Sequence, residues 1–261
     1  MTRLGAVSYL NVRPLVYGLE RRSDLFSLRY DVPAVCAELL HGRQIDIGMI
    51  PTVEALRSRS YHFVPDLGIV SDGPVASVAV FTRVPIDRVQ RLGLDASSRT
   101  SAGLAMVLCH ERWGIEPEFV SVQPEAAARL EGCDAALLIG DPALFLDHEA
   151  EGFQKIDLGA EWTSLTGLPF VWAAWTGRAG KVGSAEIAAL QHARDEGVAH
   201  TDEIADAYCG PERAATGRRY LRENIKYRFG AREAEGLQLY YDLVAKHGLV
   251  QDTGTVPFFP Q

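Results

Sequence analysis

The chain has 261 residues, 47% of them hydrophobic and 23% charged, with 26 basic and 34 acidic side chains for a net charge of −8. This balance excludes a disordered or fibrous chain, and the acidic excess argues against non-specific nucleic-acid or anionic-membrane binding, which needs a basic face. The longest apolar run, Leu168 to Trp175, is far short of the ~18 residues that span a bilayer,. Asn11, Arg13 and Pro14 interrupt any secretory h-region, so a cytoplasmic protein is expected,.

Strand and helix signals alternate from the start. Leu4 to Val7 reads as a strand, Val12 to Leu19 as a helix that tolerates Pro14 in its first turn, and Leu28 to Val32 as a strand,. Pro33 to His41 reads as a helix closed by Gly42, with Val35, Leu39 and Leu40 at core spacing. Asp46 to Pro51 (DIGMIP) is a buried strand, and Thr52 to Arg57 a further helix. Such alternation predicts a parallel sheet with crossover helices. Ser77 to Thr82 alternates like a strand and reads as the passage out of a first lobe.

A second α/β set follows. Arg91 to Leu94 is a strand, and Asp95 to Ser98 a polar loop. A helix is expected from Arg99 to Trp113, stopped by Gly114, then a strand at Glu118 to Val122 and a helix at Glu125 to Leu130. Ala135 to Gly140 is a buried strand ended by Asp141 and Pro142, and Leu168 to Trp175 a return strand. From Ser184 the chain reads as largely helical. Ile187, Leu190 and Ala193 share a face, as do Leu237, Tyr240, Tyr241 and Val244 before Gly248,. The expected architecture is α/β and two-lobed, with a helical C-terminal tail packing back on the first lobe. Residues 1–82 and 176–261 form lobe one and residues 83–175 lobe two. Ligands in such folds sit in the cleft, at strand C-termini and helix N-termini.

Five segments could place chemistry there. Ser8 to Leu15 (SYLNVRPL) puts Ser8, Tyr9 and Asn11 where strand one meets helix one, though Ser and Asn also serve as plain caps,. Ser71 to Ser77 (SDGPVAS) contains a turn followed by Ser77, which faces either the cleft or solvent,. Asp95 to Leu104 gathers Ser97, Ser98, Thr100 and Ser101 around a helix start, suited to a carboxylate or to simple capping,. Asp141 closes a buried strand toward the cleft or a turn, and Thr166 precedes the return strand at the cleft or hinge. G-x-S-x-G, a P-loop and a dinucleotide fingerprint are all missing. The four cysteines form no C-x-x-C pair and read as small apolar residues, and the scattered histidines give no metal-ligand spacing,.

Taken in order, SYLNVRPL, DIGMIP, SDGPVAS, SSRTS, LIGDPAL and TGLPFVWA resemble the chorismate dehydratase family of the futalosine route to menaquinone, from about Val7 to Trp175. The resemblance implies a two-lobed fold of the type II periplasmic-binding-protein kind. It implies dehydration of chorismate, a small-molecule substrate, to 3-[(1-carboxyvinyl)oxy]benzoate with no cofactor or metal. Asn11 and Ser77 match the positions associated with the active site. Asn11 would contact the reacting ring or its hydroxyl, and Ser77 would position the substrate. Ser98, Thr100 and Ser101 would hold a carboxylate, with Ser8, Asp141 and Thr166 as further substrate contacts. The substrate's own enolpyruvyl carboxylate would remove the C3 proton, in keeping with the lack of a conspicuous His or Glu in these motifs. Two other readings share the fold: a solute receptor that binds a small anion without reacting, and the later enzyme of the route that makes 1,4-dihydroxy-6-naphthoate.

Overall fold

The structure is a computed structural model, and it describes residues 1–95, 98–123, 130–251 and 254–260. Two five-stranded mixed sheets are built to one plan. The first uses β1 (Thr2–Val7), β2 (Phe26–Asp31), β3 (Ile47–Pro51) and β4 (Tyr61–Ser71), in spatial order β2-β1-β3-β10-β4, where β10 is Phe170–Arg178. The second uses β5 (Val78–Thr82), β6 (Arg91–Asp95), β7 (Glu118–Val122), β8 (Ala135–Ile139) and β9 (Gln154–Asp157), in order β7-β6-β8-β5-β9. In each sheet the first three strands run parallel, as the alternation predicts, and one strand contributed from across the molecule lies antiparallel.

That exchange corrects the expected lobe boundaries. β5 pairs with β8 and β9, not with the strands that precede it, and β10 pairs with β3 and β4. The chain therefore leaves the first sheet across residues 72–77 and returns across 167–169, instead of after Thr82 and after Trp175. The apolar content of VAVFT and FVWAAW marks both as buried strands but carries no information about which sheet buries them.

Among the described residues the α-helices are α1 (Pro33–His41), α2 (Arg99–Leu108), α3 (Gly140–Phe145), α4 (Leu158–Thr166), α5 (Ser184–Ala199), α6 (Thr201–Arg219) and α7 (Ala231–Lys246). α2 continues through one wide turn, Cys109–Trp113, and stops at Gly114 with φ 63°, as its glycine predicts,. The expected helix over Val12–Leu19 is instead a tight 3₁₀ segment, Leu10–Val16, with Pro14 inside it. Thr52–Arg57 is also 3₁₀. The expected strand end at Gly140 is the first residue of α3. Most of the helix expected at Glu125 to Leu130 lies outside the described residues, as does Ser97. The tail kinks within α6 at Gly210, before Pro211, and Tyr220–Asn224 forms a wide turn that leads to α7,.

The tail packs on both lobes. Gly197 of α5 lies directly against Pro14, and Gly236 of α7 against Pro169, where any side chain would collide with backbone. The Tyr240 hydroxyl of α7 donates to the Thr100 carbonyl of α2 at 3.0 Å, so α7 also reaches lobe two. One apolar core runs through both lobes and the tail, with a small separate cluster around Phe81, Leu138 and Phe153 on the far face of the second sheet. Among the described residues, no helix is long and apolar enough to cross a membrane, and no group of three or more His, Cys, Asp or Glu could hold a metal ion. The four cysteines are unpaired.

Candidate active site

β1 delivers a buried strand end, and the chain turns at Ser8 and Tyr9 into the 3₁₀ segment that carries Asn11. Pro14 fixes its own φ and lacks an N–H, which favours a short tight segment here. The Asn11 side chain lies beside the phenol of Tyr220, and its Oδ1 is buried with no partner. Ser77, only 1% exposed, lies 2.6 Å from the same phenol through its Oγ. Tyr220 is itself 1% exposed. Burial pushes its phenol far above the ordinary tyrosine range, and the bonds from Ser77 and Asn11 pull weakly the other way,. Two residues expected from the sequence thus meet, and their meeting point is a tyrosine the sequence did not announce.

Ser77 is held rigidly because the crossing that presents it is pinned along its length. The Asp157 carboxylate accepts from the amides of Val75 (3.0 Å) and Ala76 (2.6 Å) while capping α4 through the amide of Ala160. Lys155 donates to the Ala76 carbonyl at 2.6 Å, and Asn224 donates to the Pro74 carbonyl at 2.9 Å. Ala76 has φ 63°, a conformation that costs a non-glycine residue roughly 1–2 kcal/mol and persists because those contacts over-determine it,. The Ser77 carbonyl then accepts from Gly140 at 2.7 Å.

Asp141 stands at the junction of the lobes, but its oxygens are taken. Oδ1 accepts from the Leu10 amide at 3.1 Å, and Oδ2 accepts from the Tyr208 hydroxyl. Burial raises its pKa, against the pull of Tyr208, Leu10 and Arg13. It acts as a tie between α3, the Leu10–Val16 segment and α6. Beside it, Gly140 (φ 63°) leaves room for the Tyr9 ring, whose carbons would lie 2.6 Å from an added Cβ. Ser8 takes part through its backbone: its carbonyl accepts from Arg13 (3.3 Å) and lies 2.9 Å from the Tyr208 hydroxyl, whose one hydrogen it shares with Asp141,.

The hydroxyls at the start of α2 form a second buried group. Ser98 caps the helix by accepting from the Ser101 amide, and its own hydroxyl donates to Ser101 Oγ at 2.8 Å,. Thr100 Oγ1 accepts from the Val53 amide of lobe one at 3.2 Å. Ser98 is therefore committed to the cap, whereas Thr100 and Ser101 accept in these bonds and each keeps an O–H to give,. Thr166 is not part of either group. Its hydroxyl donates to the Trp162 carbonyl (2.9 Å) and accepts from the Leu168 amide (3.1 Å), closing the end of α4. A threonine at a helix terminus is drawn to its own backbone, and the Thr166 hydroxyl is spent there,.

The sequence also gave no hint of a charged tie between lobes. Glu54, 3% exposed, accepts from His41 Nε2 (2.7 Å), and its Oε2 lies 2.8 Å from Arg99 NH1 at the start of α2. Burial alone would raise the carboxyl pKa, but the bonds to His41 and Arg99 hold it below the ordinary range,. A cavity of about 730 Å³ beside it, bounded by Arg57, Arg99, Met106 and Val244, shares no residue with the Asn11–Tyr220–Ser77 cluster. Within that cluster Ser77 and Tyr220 are buried, and Asn11 is partly exposed.

A family model described as menaquinone biosynthesis matches residues 2–246. The chain is 29% identical over 221 residues to the chorismate dehydratase of Thermus thermophilus, covering 78% of this chain and 80% of that one. It is 30% identical over 175 residues to the chorismate dehydratase of Campylobacter jejuni, covering 65% and 64%. A solved structure from Archaeoglobus fulgidus superposes with a TM-score of 0.77 at 15% identity, covering 95% of this chain and 98% of that one. A Candida albicans protein with the generic periplasmic binding protein fold superposes with a TM-score of 0.67 at 13% identity, covering 100% and 98%. The two-lobed fold expected from the sequence is the fold of these neighbours.

Proposed function

The chain belongs to the menaquinone biosynthesis family, and from that membership we propose the activity: it is a chorismate dehydratase, a hydro-lyase that turns chorismate into 3-[(1-carboxyvinyl)oxy]benzoate and water. The observation that supports this reading most directly is the convergence of Asn11 and Ser77, residues 66 positions apart, on one buried spot. The chemistry is undemanding in one respect and exacting in another. Losing the C3 hydrogen and the C4 hydroxyl makes the ring aromatic, so the reaction runs downhill. The substrate is a dianion, however, and it must be held so that the C3 proton meets a base while the C4 hydroxyl leaves.

The C3–H electron pair forms the new ring double bond as the C4–O bond breaks, and the C3 proton and the departing hydroxide together make the water. The base proposed is the substrate's own enolpyruvyl carboxylate. In that case the protein orients the ring and its hydroxyl, the role assigned to Asn11 and Ser77. Ser101, with its unspent O–H at the positive end of α2, is proposed to hold one carboxylate. Asp141 and Thr166 have their oxygens engaged by the protein and are assigned no role in this reading.

The test is to mix the purified protein with chorismate and follow the ultraviolet spectrum and product mass. Loss of the diene band with loss of one water is expected. Tight binding with an unchanged spectrum would instead indicate a receptor for small anions. Turnover of cyclic dehypoxanthine futalosine without action on chorismate would indicate the later enzyme of the route.

A further inference from the structure

The geometry around Tyr220 can be read as a directed chain of hydrogen bonds. Asn11 lies beside the phenol with its Oδ1 unpartnered, which leaves its amide nitrogen as the group to face the phenol. An amide nitrogen only donates, so the phenol oxygen accepts there and its single hydrogen remains free. The neighbour in reach of that hydrogen is Ser77 Oγ, at 2.6 Å. A serine oxygen that accepts from the phenol keeps its own O–H for something else. The chain therefore leaves two unspent groups: an acceptor, Asn11 Oδ1, and a donor, the Ser77 hydroxyl. That pair is the complement of an alcohol, which has one hydrogen to give and lone pairs to receive.

We propose that Tyr220 is a positioning residue for this reaction, fixing the Asn11 amide and the Ser77 hydroxyl so that together they grip the substrate hydroxyl that leaves. This rests on the reading of the chain as a chorismate dehydratase. Tyr220 does not touch substrate in this account. It decides which way its two neighbours face. An asparagine can flip and a serine can rotate, and a single buried phenol between them removes both freedoms. Its burial suits the task, because a phenol held far above neutrality keeps its proton throughout the working range. The wide turn Tyr220–Asn224 brings it in from the tail, so the site is assembled from three separate stretches of chain.

The test is steady-state kinetics with chorismate on the parent, Tyr220→Phe, Ser77→Ala and the double variant, with the fold of each checked by circular dichroism and thermal melting. Tyr220→Phe is expected to lower kcat by about ten-fold or more while KM moves by less than about three-fold, because misorientation costs rate more than binding. The ratio of parent to variant kcat should be flat from about pH 6 to 9, as a protonated phenol requires. In the Ser77→Ala background, Tyr220→Phe should cost less than it does in the parent, because one of the two groups it orients is gone. A Tyr220→Phe enzyme with parental kcat, or losses that multiply in the double variant, would overturn the proposal.

Should Tyr220→Phe fail to fold, Asn11→Asp decides. It keeps an acceptor but removes the N–H that feeds the phenol, so kcat should fall by about ten-fold or more, and a kcat within about two-fold of the parent would overturn the proposal. If the parent leaves chorismate unchanged, the assigned function falls and this inference with it. If the parent turns over and only the Tyr220 results disagree, the function stands and the positioning role alone is lost.

Discussion

Replacing Gly197 with alanine tests whether the tail clamps the segment that carries Asn11. Gly197 sits inside α5, where alanine is intrinsically favoured over glycine by about 1 kcal/mol. In solvent this substitution would stabilise the helix. Here an added Cβ would overlap the Pro14 carbonyl oxygen and lie 2.6 Å from the Pro14 Cα and carbonyl carbon. Carbon atoms rest about 3.5–4.0 Å apart, so α5 must retreat by about 1 Å from backbone that has no rotamer to yield. Overpacking of this kind costs up to about 3 kcal/mol. Subtracting the helix gain of about 1 leaves a net loss of about 2 kcal/mol, and a fall in Tm of about 4–8 °C for a chain of this size. The assay is thermal melting followed by circular dichroism, alongside turnover of chorismate, which should fall because Asn11 shifts with Pro14. A variant that melts at or above the parental temperature would refute the reasoning.

Three more outcomes follow from the same contacts. Glu54→Gln should destabilise by about 2 kcal/mol in urea melts, less than a fully buried pair because Arg99 and His41 are partly exposed. Since the folded pKa of Glu54 is depressed, its contribution is present above the ordinary value of 4.5 and fades as pH falls through the lower folded value, so parent and variant should converge in acid,. An equal gap at all pH values would contradict this. Asp141→Asn keeps an oxygen for the Leu10 amide but turns an amide nitrogen to Tyr208, whose hydroxyl must then donate to the Ser8 carbonyl alone, and should cost about 1 kcal/mol at neutral pH,. Burial raises the Asp141 pKa, so the parent, and not the variant, loses stability as pH climbs from 3.8 through that raised value,. An unaltered urea midpoint at neutral pH would show that the tie contributes nothing. Ser101→Ala should raise the chorismate KM by about five-fold with little change in kcat, the equivalent of one neutral hydrogen bond. An unaltered KM would reduce Ser101 to a partner of the Ser98 cap.

Much of the architecture is readable from periodicity, and the misses have physical causes. The parallel strands of both sheets are short apolar runs with turn residues at their ends, which is why Ile47–Pro51 and Ala135–Ile139 are legible. Tyr61–Ser71 escapes because Pro65, Asp66 and Gly68 break its pattern. Its pairing with β10 is correspondingly irregular, and Asp66 takes φ 62°,. Gln154–Asp157 escapes because an edge strand is half exposed and polar,. At the site, Asn11 and Ser77 are legible because each sits in a local motif. Tyr220 is not, because its meaning lies in a bond to a residue 143 positions away and nothing near it in sequence marks it. Asp141 and Thr166 show the converse: a polar residue at an element boundary is as readily taken by the backbone as left for a ligand.

The placement of β10 between β3 and β4 bears on how the chain folds as it leaves the ribosome. Every strand of the second sheet lies within residues 78–157, so that sheet can close while the rest is still being made. The first sheet must wait, its middle unfilled, until residue 178 has emerged. Domains made of late, distant pairings fold slowly and expose unpaired edges meanwhile. The half of the molecule translated first is therefore the half completed last, and it is the one that should lean on chaperones.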